Sequence, residues 1–166
     1  LAGIREIGII TTPHDEAQFR RLLGDGRDLG LEIAWLTQPK PEGLAQAYTI
    51  ADEWLDGAAS ALILGDNIFY GHGLPELVRQ ADARTEGATI FGYQVSDPER
   101  YGVVEFGPDG AVLGIEEKPA TPKSDYAVTG LYFFDDCAPI YARTLKPSAR
   151  GELEIAGLIT CYLGDG

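Results

Sequence analysis

The sequence has no methionine, few basic residues and no long apolar run. Its longest apolar candidate, residues 60–65, is far shorter than the roughly 20 residues that a membrane-spanning helix needs. The 13 Lys and Arg residues stand against 26 Asp and Glu residues, so the formal net charge is −13. A chain this acidic repels phosphate backbones and anionic membranes, which excludes a general nucleic-acid or membrane-surface binder. A small phosphorylated ligand stays compatible, because it needs only a few local cations.

The few cysteines and histidines also give little support for a disulfide, a catalytic thiol or a histidine metal site. Cys137 and Cys161 lack C-x-x-C spacing and favour two reduced thiols in a cytoplasmic protein over a disulfide or a metal site. His14 and His72 are the only histidines, and neither has a second histidine at metal-ligand spacing. The sequence contains no G-x-S-x-G motif and no Walker loop, so nothing indicates a hydrolase or a P-loop enzyme.

The composition is typical of a globular domain, with 45% apolar and 23% charged residues in a chain of 166. No internal repeat, low-complexity tract or linker interrupts it. We therefore predict a single domain over residues 1–166.

Over the first 95 residues, hydrophobic periodicity predicts alternating strands and helices, which indicates an α/β layered sheet. Thr12 is the expected N-cap of the first helix, with Pro13 at the first helical position. Phe19, Leu22 and Leu23 are its expected apolar side, and Gly24 is expected to end it. The predicted strands cover residues 7–11, 31–36, 61–64 and 89–95, and further helices are predicted over residues 44–55 and 74–83.

The apolar residues of three of these segments also indicate how the segments pack. The wholly apolar run Ala61–Leu64 suits a central parallel strand covered on both faces. Leu74, Leu77 and Ala81 are expected on one side of their helix. Helical spacing also relates the apolar residues of the preceding helix, which are Leu44, Tyr48, Ala51 and Leu55.

The pattern changes after residue 95. Gly107–Gly110 is a turn signature between two strand-like runs and predicts a β-hairpin over residues 101–116. A further strand is predicted over 126–134, and helices over 139–145 and 152–163. The predicted fold class is therefore α/β, with a Rossmann-like mixed sheet, mainly parallel, flanked by helices and carrying a β-hairpin portion.

Asp66 follows an apolar strand and a glycine, which presents its carboxylate at the carboxyl edge of the sheet. Ligands of open α/β sheets bind at that edge. One or two carboxylates together with substrate phosphates are the usual protein site for Mg²⁺. From position alone, a metal ligand and a turn aspartate that caps the next segment are equally good interpretations.

The loop from Gln38 to Gln46 offers a second candidate site. Gly43 lets a backbone N–H approach a ligand, and the amides of Gln38 and Gln46 suit the edge of a nucleobase. A rigid proline-rich loop with solvated amides is the alternative, and without further support it is the better interpretation.

Two short segments carry cations beside carboxylates. Glu117 and Lys118 end a hairpin strand and could bind sugar hydroxyls and a phosphate, and Arg150 could hold a phosphate bidentately. Surface ion pairs are the alternative, since such pairs are common and weak. Neither segment is specific alone.

Taken together, these segments resemble the glucose-1-phosphate thymidylyltransferases, which are sugar-phosphate nucleotidyltransferases. The resemblance runs through essentially the whole chain, and LGDNIFYGHG and SDYAVTGLYF are specific to this branch. The remaining strings that carry it are GLAQAYTIADEW, DPERYGVVEF, EEKPATPKSDYAVTGLYFFD and LKPSARGELEI.

The resemblance implies the nucleotide-diphospho-sugar transferase fold and assigns roles residue by residue. Asp66 matches the metal aspartate, and Gln38 and Gly43 match positions that contact thymine. Lys118 and Arg150 match cations that face the sugar phosphate. The matched glucose-binding positions are Tyr101, Gly102, Glu117, Lys118 and Val128. Residues 1–95 would then be a nucleotide-binding part and residues 96–166 a sugar-phosphate-binding part.

The implied reaction converts dTTP and glucose 1-phosphate to dTDP-glucose and pyrophosphate with Mg²⁺, in the synthesis of dTDP-rhamnose and polysaccharide precursors. Its catalytic residues would be Asp66, Lys118 and Arg150. The resemblance also implies a cytoplasmic homotetramer without nucleic-acid or membrane partners. Two alternatives stay open: a nucleotidyltransferase that uses UTP or another nucleotide, since one methyl group discriminates weakly, and a non-catalytic sugar-phosphate-binding fragment.

Departures from the family pattern concern the ends and one helix. The family's glycine-rich loop with an arginine and its second metal aspartate have no counterpart here, and the chain lacks an initiating methionine. We therefore expect an internal piece that is poorly stable and inactive by itself, with unpaired sheet edges. A smaller departure is Ala156-Gly157, where the family usually has Thr-Asp.

Overall fold

The computed structural model describes residues 3–165, which form seven strands, five α-helices and two short 3₁₀ helices (Arg27–Leu29 and Pro98–Arg100). The strands are β1 (Glu6–Thr11), β2 (Glu32–Thr37), β3 (Ser60–Ile63), β4 (Ala88–Gln94), β5 (Gly102–Phe106), β6 (Val112–Glu117) and β7 (Tyr126–Phe134). The helices are α1 (Glu16–Leu23), α2 (Gln46–Leu55), α3 (Leu74–Asp82), α4 (Ala138–Thr144) and α5 (Ile155–Asp165).

The strands of residues 3–165 form two separate sheets. β1 and β2 are parallel and pair along their full length, from Glu6 opposite Glu32 to Thr11 opposite Thr37. The second sheet has the order β3-β7-β5-β6, and β4 also pairs with β7. All pairings described in this second sheet are antiparallel. The mixed α/β class is therefore confirmed, but the expected predominance of parallel pairing is wrong for the described residues.

β7 is the strand around which the core is built. Tyr132 and Phe134 project to one face, where Phe134 meets Tyr48 edge to face at 5.3 Å between ring centroids. Leu131 and Phe133 project to the opposite face and pack with Val78 and Ala81 of α3. Alternate burial on both faces follows from the two-residue period of a strand. The sequence run predicted over 126–134 is confirmed with the same bounds.

The start of α1 differs from the prediction. The helix begins at Glu16, and Thr12 is not its N-cap. The Thr12 carbonyl accepts hydrogen bonds from the backbone N–H groups of Asp15 and Glu16, while its hydroxyl donates to the Asp15 carboxylate at 2.7 Å. A turn through Pro13 therefore precedes the helix. The Thr12 hydroxyl bonds to the Asp15 side chain and not to a backbone N–H of the first helical turn. Gly24 ends α1 with φ of 61°, as expected.

Helical spacing identified apolar stripes but not which of them are covered. Phe19 and Leu22 of α1 are 45% and 78% exposed, and α1 has no buried residue. In α3, Leu77 is exposed and Val78 is buried in its place. The prediction for α2 is confirmed in its helical type, and its Tyr48 is buried in the core. Periodicity describes one helix at a time, whereas burial depends on the element packed against it.

β3 is apolar as predicted, but within residues 3–165 it is not a central parallel strand. It pairs antiparallel with β7 only, and Ile63 is 55% exposed. The other edge of β3 and the free edge of β1 border one apolar cleft of about 530 Å³, with Trp54 of α2 in its wall. An apolar run encodes neither the direction of the strand nor which element will cover it. Unpaired apolar edges of this kind favour aggregation.

The C-terminal elements follow the sequence with one shift. The hairpin turns through Gly107–Gly110, where the backbone N–H of Gly107 donates to the Ala111 carbonyl at 2.8 Å. α5 begins at Ile155 instead of residue 152. The preceding residues are extended because the N–H of Leu153 donates to the Glu42 carbonyl at 2.7 Å. Within residues 3–165 no helix has the length and apolar character to cross a membrane.

We predict that Leu158→Ala lowers the free energy of unfolding by about 2–5 kcal/mol, because Leu158 of α5 is fully buried and its removal leaves a cavity. Leu22→Ala on α1 is the matched control, since Leu22 is 78% exposed, and its effect should stay within about 0.5 kcal/mol. Denaturant unfolding of both variants measures the difference. Equal losses of unfolding free energy would contradict the burial of Leu158 in the part of the core that lies between α5 and β7.

Candidate functional site

A charged cluster lies where β6 ends and where the chain enters α5. The Arg150 guanidinium is within 3.6 Å of a Glu117 carboxylate oxygen, 3.2 Å of Glu152 and 3.5 Å of Glu154. These carboxylates come from two segments that are distant in the sequence. Arg150 keeps 42% of its side chain exposed, so a ligand can reach it from solvent.

The backbone around Lys118 is set by the neighbouring strand. The N–H of Lys118 donates to the Tyr101 carbonyl at 2.9 Å, which closes the pairing of β5 with β6 beyond Gly102 and Glu117. Lys118 has a φ of 45°, a left-handed conformation that is uncommon outside glycine. Such strained positions cluster at functional sites. The lysine side chain itself is exposed beside the charged cluster.

Gly102 makes room for the Glu117 carboxylate. A Cβ at Gly102 would lie 3.2 Å from Glu117 Oε2 and in contact with Val128 of β7. Below these residues a small cavity of about 30 Å³ is lined mostly by apolar side chains, and Ala156 of α5 is one of them. The cavity is large enough for about one water molecule. Its full lining is Gly102, Ile115, Glu117, Val128, Tyr132, Ile155, Ala156 and Ile159.

The Glu117 carboxyl is the titratable group most affected by this arrangement within the cluster. Burial, and next the negative charge of Glu154, raise the pKa of Glu117 above its ordinary value. Lys118 and Arg150 oppose this shift but do not cancel it. The pKa of Glu117 is raised because its side chain is only 22% exposed and shares one arginine with other carboxylates.

Asp66 lies in an exposed turn directly after β3. The Asn67 side-chain amide donates to Asp66 Oδ1 at 3.3 Å, and the Asn67 N–H donates to the Leu64 carbonyl. A Cβ at Gly130 of β7 would overlap with the Asn67 amide nitrogen, so the turn sits directly against β7. Val128, two residues before Gly130, lines the small cavity. β7 therefore connects the Asp66 turn with the charged cluster.

The Asp66 carboxylate is compatible with a magnesium site in which the protein supplies few of the ligands. Its carboxylate is exposed, and among residues 3–165 it belongs to no group of three close potential ligands. One or two carboxylates with water and substrate phosphates suffice for Mg²⁺.

A different group, Asp135, Asp136 and Cys137, does come together, but it has a structural explanation. Burial alone would raise the pKa of Asp135, but hydrogen bonds from Tyr162, Gly87 and Cys137 lower it on balance. The Tyr162 hydroxyl and the Gly87 N–H donate to this carboxylate at 2.7 and 2.6 Å. Asp135 therefore anchors the start of α4.

The amides of the Gln38–Gln46 loop bond to one another. The Gln38 side-chain amide donates to Gln46 Oε1 at 2.7 Å, and the Gln46 amide donates to Glu42 at 2.8 Å. The Gln38 backbone N–H continues the β1–β2 pairing by donating to the Thr11 carbonyl at 2.8 Å. The loop is therefore ordered by its own side chains and is not merely solvated, and Gln38 is half-buried.

Gly43 is required by a close backbone approach. Its φ is 112°, and a Cβ there would overlap with the backbone nitrogen and oxygen of Leu153. On either side of Gly43, the Glu42 carbonyl accepts from the Leu153 N–H and the Ala45 N–H donates to the Leu153 carbonyl at 3.0 Å. The absence of a side chain at Gly43 is therefore required by the approach of the Leu153 backbone, and the contact of the Gly43 N–H with a ligand stays a prediction. The Leu153 contact ties the Gln38–Gln46 loop to the Arg150 segment.

The structure brings most of the predicted site residues into one connected region. Glu117 and Arg150 belong to the charged cluster, and Tyr101, Gly102, Lys118 and Val128 lie next to it. Gln38 and Gly43 join it through Leu153, and Asp66 joins it through β7.

Glu152 and Glu154 were missed as members of the cluster. Their spacing of two places them on one side of an extended chain. The helix predicted from residue 152 concealed that signal.

The fold and the site define a class. The sequence model of the nucleotidyl transferase family matches residues 1–166, and the chain belongs to this family.

The curated relatives carry a more particular name. A glucose-1-phosphate thymidylyltransferase of Xanthomonas campestris pv. campestris (strain B100) is 60% identical over all 166 residues, and one of Neisseria gonorrhoeae is 58% identical. The chain spans 56% and 58% of the length of these two proteins. The resemblance found in the sequence is thereby confirmed.

Solved structures agree on the fold. A Bacillus anthracis protein in complex with sucrose, named for the same thymidylyltransferase activity, has a TM-score of 0.84 at 39% identity, and the match covers 96% of this chain and 64% of that one. A UDP-glucose pyrophosphorylase in complex with UDP-glucose has a TM-score of 0.79 at 19% identity, with 98% and 71% covered. The second similarity concerns the fold alone.

We predict that Gly43→Ala destabilises the fold by at least about 3 kcal/mol, because the methyl group breaks the pairing with Leu153 and strains the backbone. Gly57→Ala is the matched control: Gly57 has a φ of 75° but open space around it, so the loss should be about 1–2 kcal/mol. Denaturant unfolding gives both values. Faster hydrogen exchange at the Ala45 and Leu153 amides in the Gly43 variant alone locates the damage, and unchanged exchange there would contradict it.

We predict that Glu117→Gln raises stability at pH 7. The folded-state pKa of Glu117 lies above its ordinary value of 4.5, so ionisation costs stability as the pH rises through the folded-state pKa. Glutamine does not ionise, and its advantage should disappear below about pH 4.5, where the carboxyl is protonated in both states. Unfolding curves between pH 4 and pH 8 measure this, and a Glu117 variant less stable than the native protein at pH 7 is the opposing result.

Proposed function

We propose that the full-length protein containing this chain is a glucose-1-phosphate thymidylyltransferase, which converts dTTP and glucose 1-phosphate to dTDP-glucose and pyrophosphate. The single observation that carries the proposal is the convergence of Glu117, Lys118 and Arg150 at one site, in a chain 60% identical to a relative of that name. The division into a nucleotide-binding part, residues 1–95, and a sugar-phosphate-binding part, residues 96–166, belongs to the same proposal.

The charged cluster supplies the chemistry for a sugar phosphate. Arg150 presents a planar guanidinium that can bind two phosphate oxygens, and Lys118 adds a second cation on the adjoining backbone. Glu117 lines the small cavity and can accept hydrogen bonds from sugar hydroxyls. A hexose is much larger than the 30 Å³ cavity, so the sugar would lie at its mouth with Val128 and Tyr101 beside it.

The nucleotide side of the site is proposed at the Gln38–Gln46 loop. Gln38 and Gly43 would contact the thymine base, and the Leu153 contact holds this loop at a constant position relative to Arg150. Asp66 would hold Mg²⁺ together with phosphate oxygens. The bound ion would supply positive charge that neutralises the triphosphate and stabilises the charge developing on it.

The reaction requires alignment more than covalent participation by the protein. A phosphate oxygen of glucose 1-phosphate attacks the α-phosphorus of dTTP, the bond from that phosphorus to the bridging oxygen breaks, and pyrophosphate leaves. Arg150 and Lys118 would hold the attacking phosphate, and the Gln38–Gln46 loop would hold the base. Holding the two reactants in this geometry removes much of the entropic cost of bringing them together.

The pathway, the cellular compartment and the oligomeric state are proposed for the full-length protein only. We propose synthesis of dTDP-rhamnose precursors in the cytoplasm by a homotetramer, and no activity for residues 1–166 alone, which span 56% of the relative from Xanthomonas campestris. The ratio of turnover with dTTP to turnover with UTP tests the nucleotide. A preference for UTP would assign the protein to a different nucleotidyltransferase activity.

We predict that Asp66→Asn in the full-length protein lowers Mg²⁺-dependent turnover about 100-fold or more, because the amide cannot hold the cation as the carboxylate does. Asp56→Asn is the matched control: Asp56 is exposed at the end of α2 with a φ of 48°, which asparagine also tolerates. Pyrophosphate release from dTTP and glucose 1-phosphate across a magnesium titration gives the comparison. Wild-type magnesium dependence in the Asp66 variant would remove Asp66 from the metal site.

A further inference from the structure

Arg150 is carried on a short turn, Ser148–Gly151, whose geometry is set by one hydroxyl. The Ser148 hydroxyl accepts a hydrogen bond from the Arg150 backbone N–H at 3.1 Å and donates to Glu154 Oε1 at 2.8 Å. The Gly151 N–H donates to the Ser148 carbonyl, and the Ser148 N–H donates to the Glu152 carbonyl, both at 2.8 Å. The Ser148 hydroxyl therefore links Arg150, which lies within the turn, to Glu154, which follows the turn.

Glu154 supports the same turn from below. It is the most buried carboxylate of the charged cluster, with 16% of its side chain exposed, compared with 22% for Glu117 and 39% for Glu152. The oxygen that accepts from Ser148 also lies 3.5 Å from Arg150 Nη1. One carboxylate oxygen thus contacts both the base of the turn and the guanidinium that the turn presents.

We propose that Ser148 and Glu154 are positioning residues that hold Arg150 in the orientation required to bind the sugar phosphate. This inference rests on the proposed function, because it assumes that Arg150 receives that phosphate. An arginine side chain has many accessible rotamers, and freezing it at the moment of binding costs affinity. Holding its backbone and guanidinium beforehand removes part of that cost.

The neighbouring cluster explains why positioning is needed here. Arg150 is surrounded by Glu117, Glu152 and Glu154, and any of them can draw the guanidinium away from an incoming phosphate. The Ser148 hydroxyl fixes the Glu154 carboxylate, so the electrostatic attraction between Glu154 and the Arg150 guanidinium has a constant direction. Without that bond, Glu154 and Arg150 can pair in several geometries, and fewer of them leave the guanidinium free to face a ligand.

Kinetics of the full-length protein test the inference. Ser148→Ala and Glu154→Ala should each raise the KM for glucose 1-phosphate about 10-fold, as expected for lost hydrogen bonds to charged groups, while the KM for dTTP changes less than about twofold. Ser148→Thr keeps the hydroxyl and should restore the native KM. Glu154→Gln keeps an oxygen acceptor for Ser148 and should raise the KM less than Glu154→Ala.

A matched serine separates positioning from general stability. The Ser124 hydroxyl also accepts from the N–H two residues later, that of Tyr126, and donates to a distant group, the Val104 carbonyl. Ser124→Ala should therefore affect thermal unfolding as much as Ser148→Ala does, but leave the KM for glucose 1-phosphate unchanged. Equal KM effects of the two changes would overturn the inference.

An Arg150→Ala background gives the decisive comparison. If Ser148 and Glu154 act through Arg150, adding either alanine change to Arg150→Ala should raise the KM no further. A further rise of several-fold would show that they act by another route and would overturn the inference.

The test distinguishes this inference from the proposed function. No turnover of dTTP and glucose 1-phosphate by the native full-length protein contradicts the proposed function itself. The inference is then judged by titration calorimetry with inorganic phosphate. Phosphate affinity that falls in the Ser148 and Glu154 variants supports positioning, and affinity equal to the native value overturns it.

Discussion

Two backbone hydrogen bonds at Leu153 hold the candidate site together. They run from the Leu153 N–H to Glu42 and from the Ala45 N–H to the Leu153 carbonyl. Through them the Gln38–Gln46 loop, which follows the parallel β1–β2 pair, meets the segment that carries Arg150. This contact joins two backbones, and it is so close that no side chain fits at Gly43. The relative placement of the two halves of the site depends on it.

The electrostatics of the site follow from the acidity of the whole chain. In a protein with a formal charge of −13, the proposed phosphate site depends on local cations, and Arg150 and Lys118 are the cations in or beside the charged cluster. The surrounding carboxylates pair with Arg150. Burial, and next the negative charge of Glu154, raise the pKa of Glu117. In the proposed site, a phosphate would therefore compete with these internal ion pairs for the Arg150 guanidinium.

Sequence reasoning was most successful where one local rule decides the outcome. Strand β7 and the hairpin at Gly107–Gly110 were predicted because alternation and turn chemistry act over a few residues. The N-cap at Thr12 and the start of α5 were wrong: the Thr12 hydroxyl bonds to the Asp15 carboxylate instead of a backbone N–H, and the segment before α5 is held extended by its contact with the distant Glu42. In and beside the charged cluster, Glu117, Lys118 and Arg150 were candidates through motif resemblance, whereas Glu154 was not a candidate because its segment was predicted as helix.

The sequence by itself determined the α/β class, the family and the residue types that a phosphate site requires, because periodicity, turn signatures and motif order are properties of the linear chain. Only the tertiary structure decided that β3 runs antiparallel to β7 within residues 3–165, that the charged cluster shares a single arginine, and that Gly43 faces Leu153. The physical reason is that strand direction, burial and ion pairing are settled by contacts between residues far apart in the chain, and no local pattern encodes which surfaces will meet.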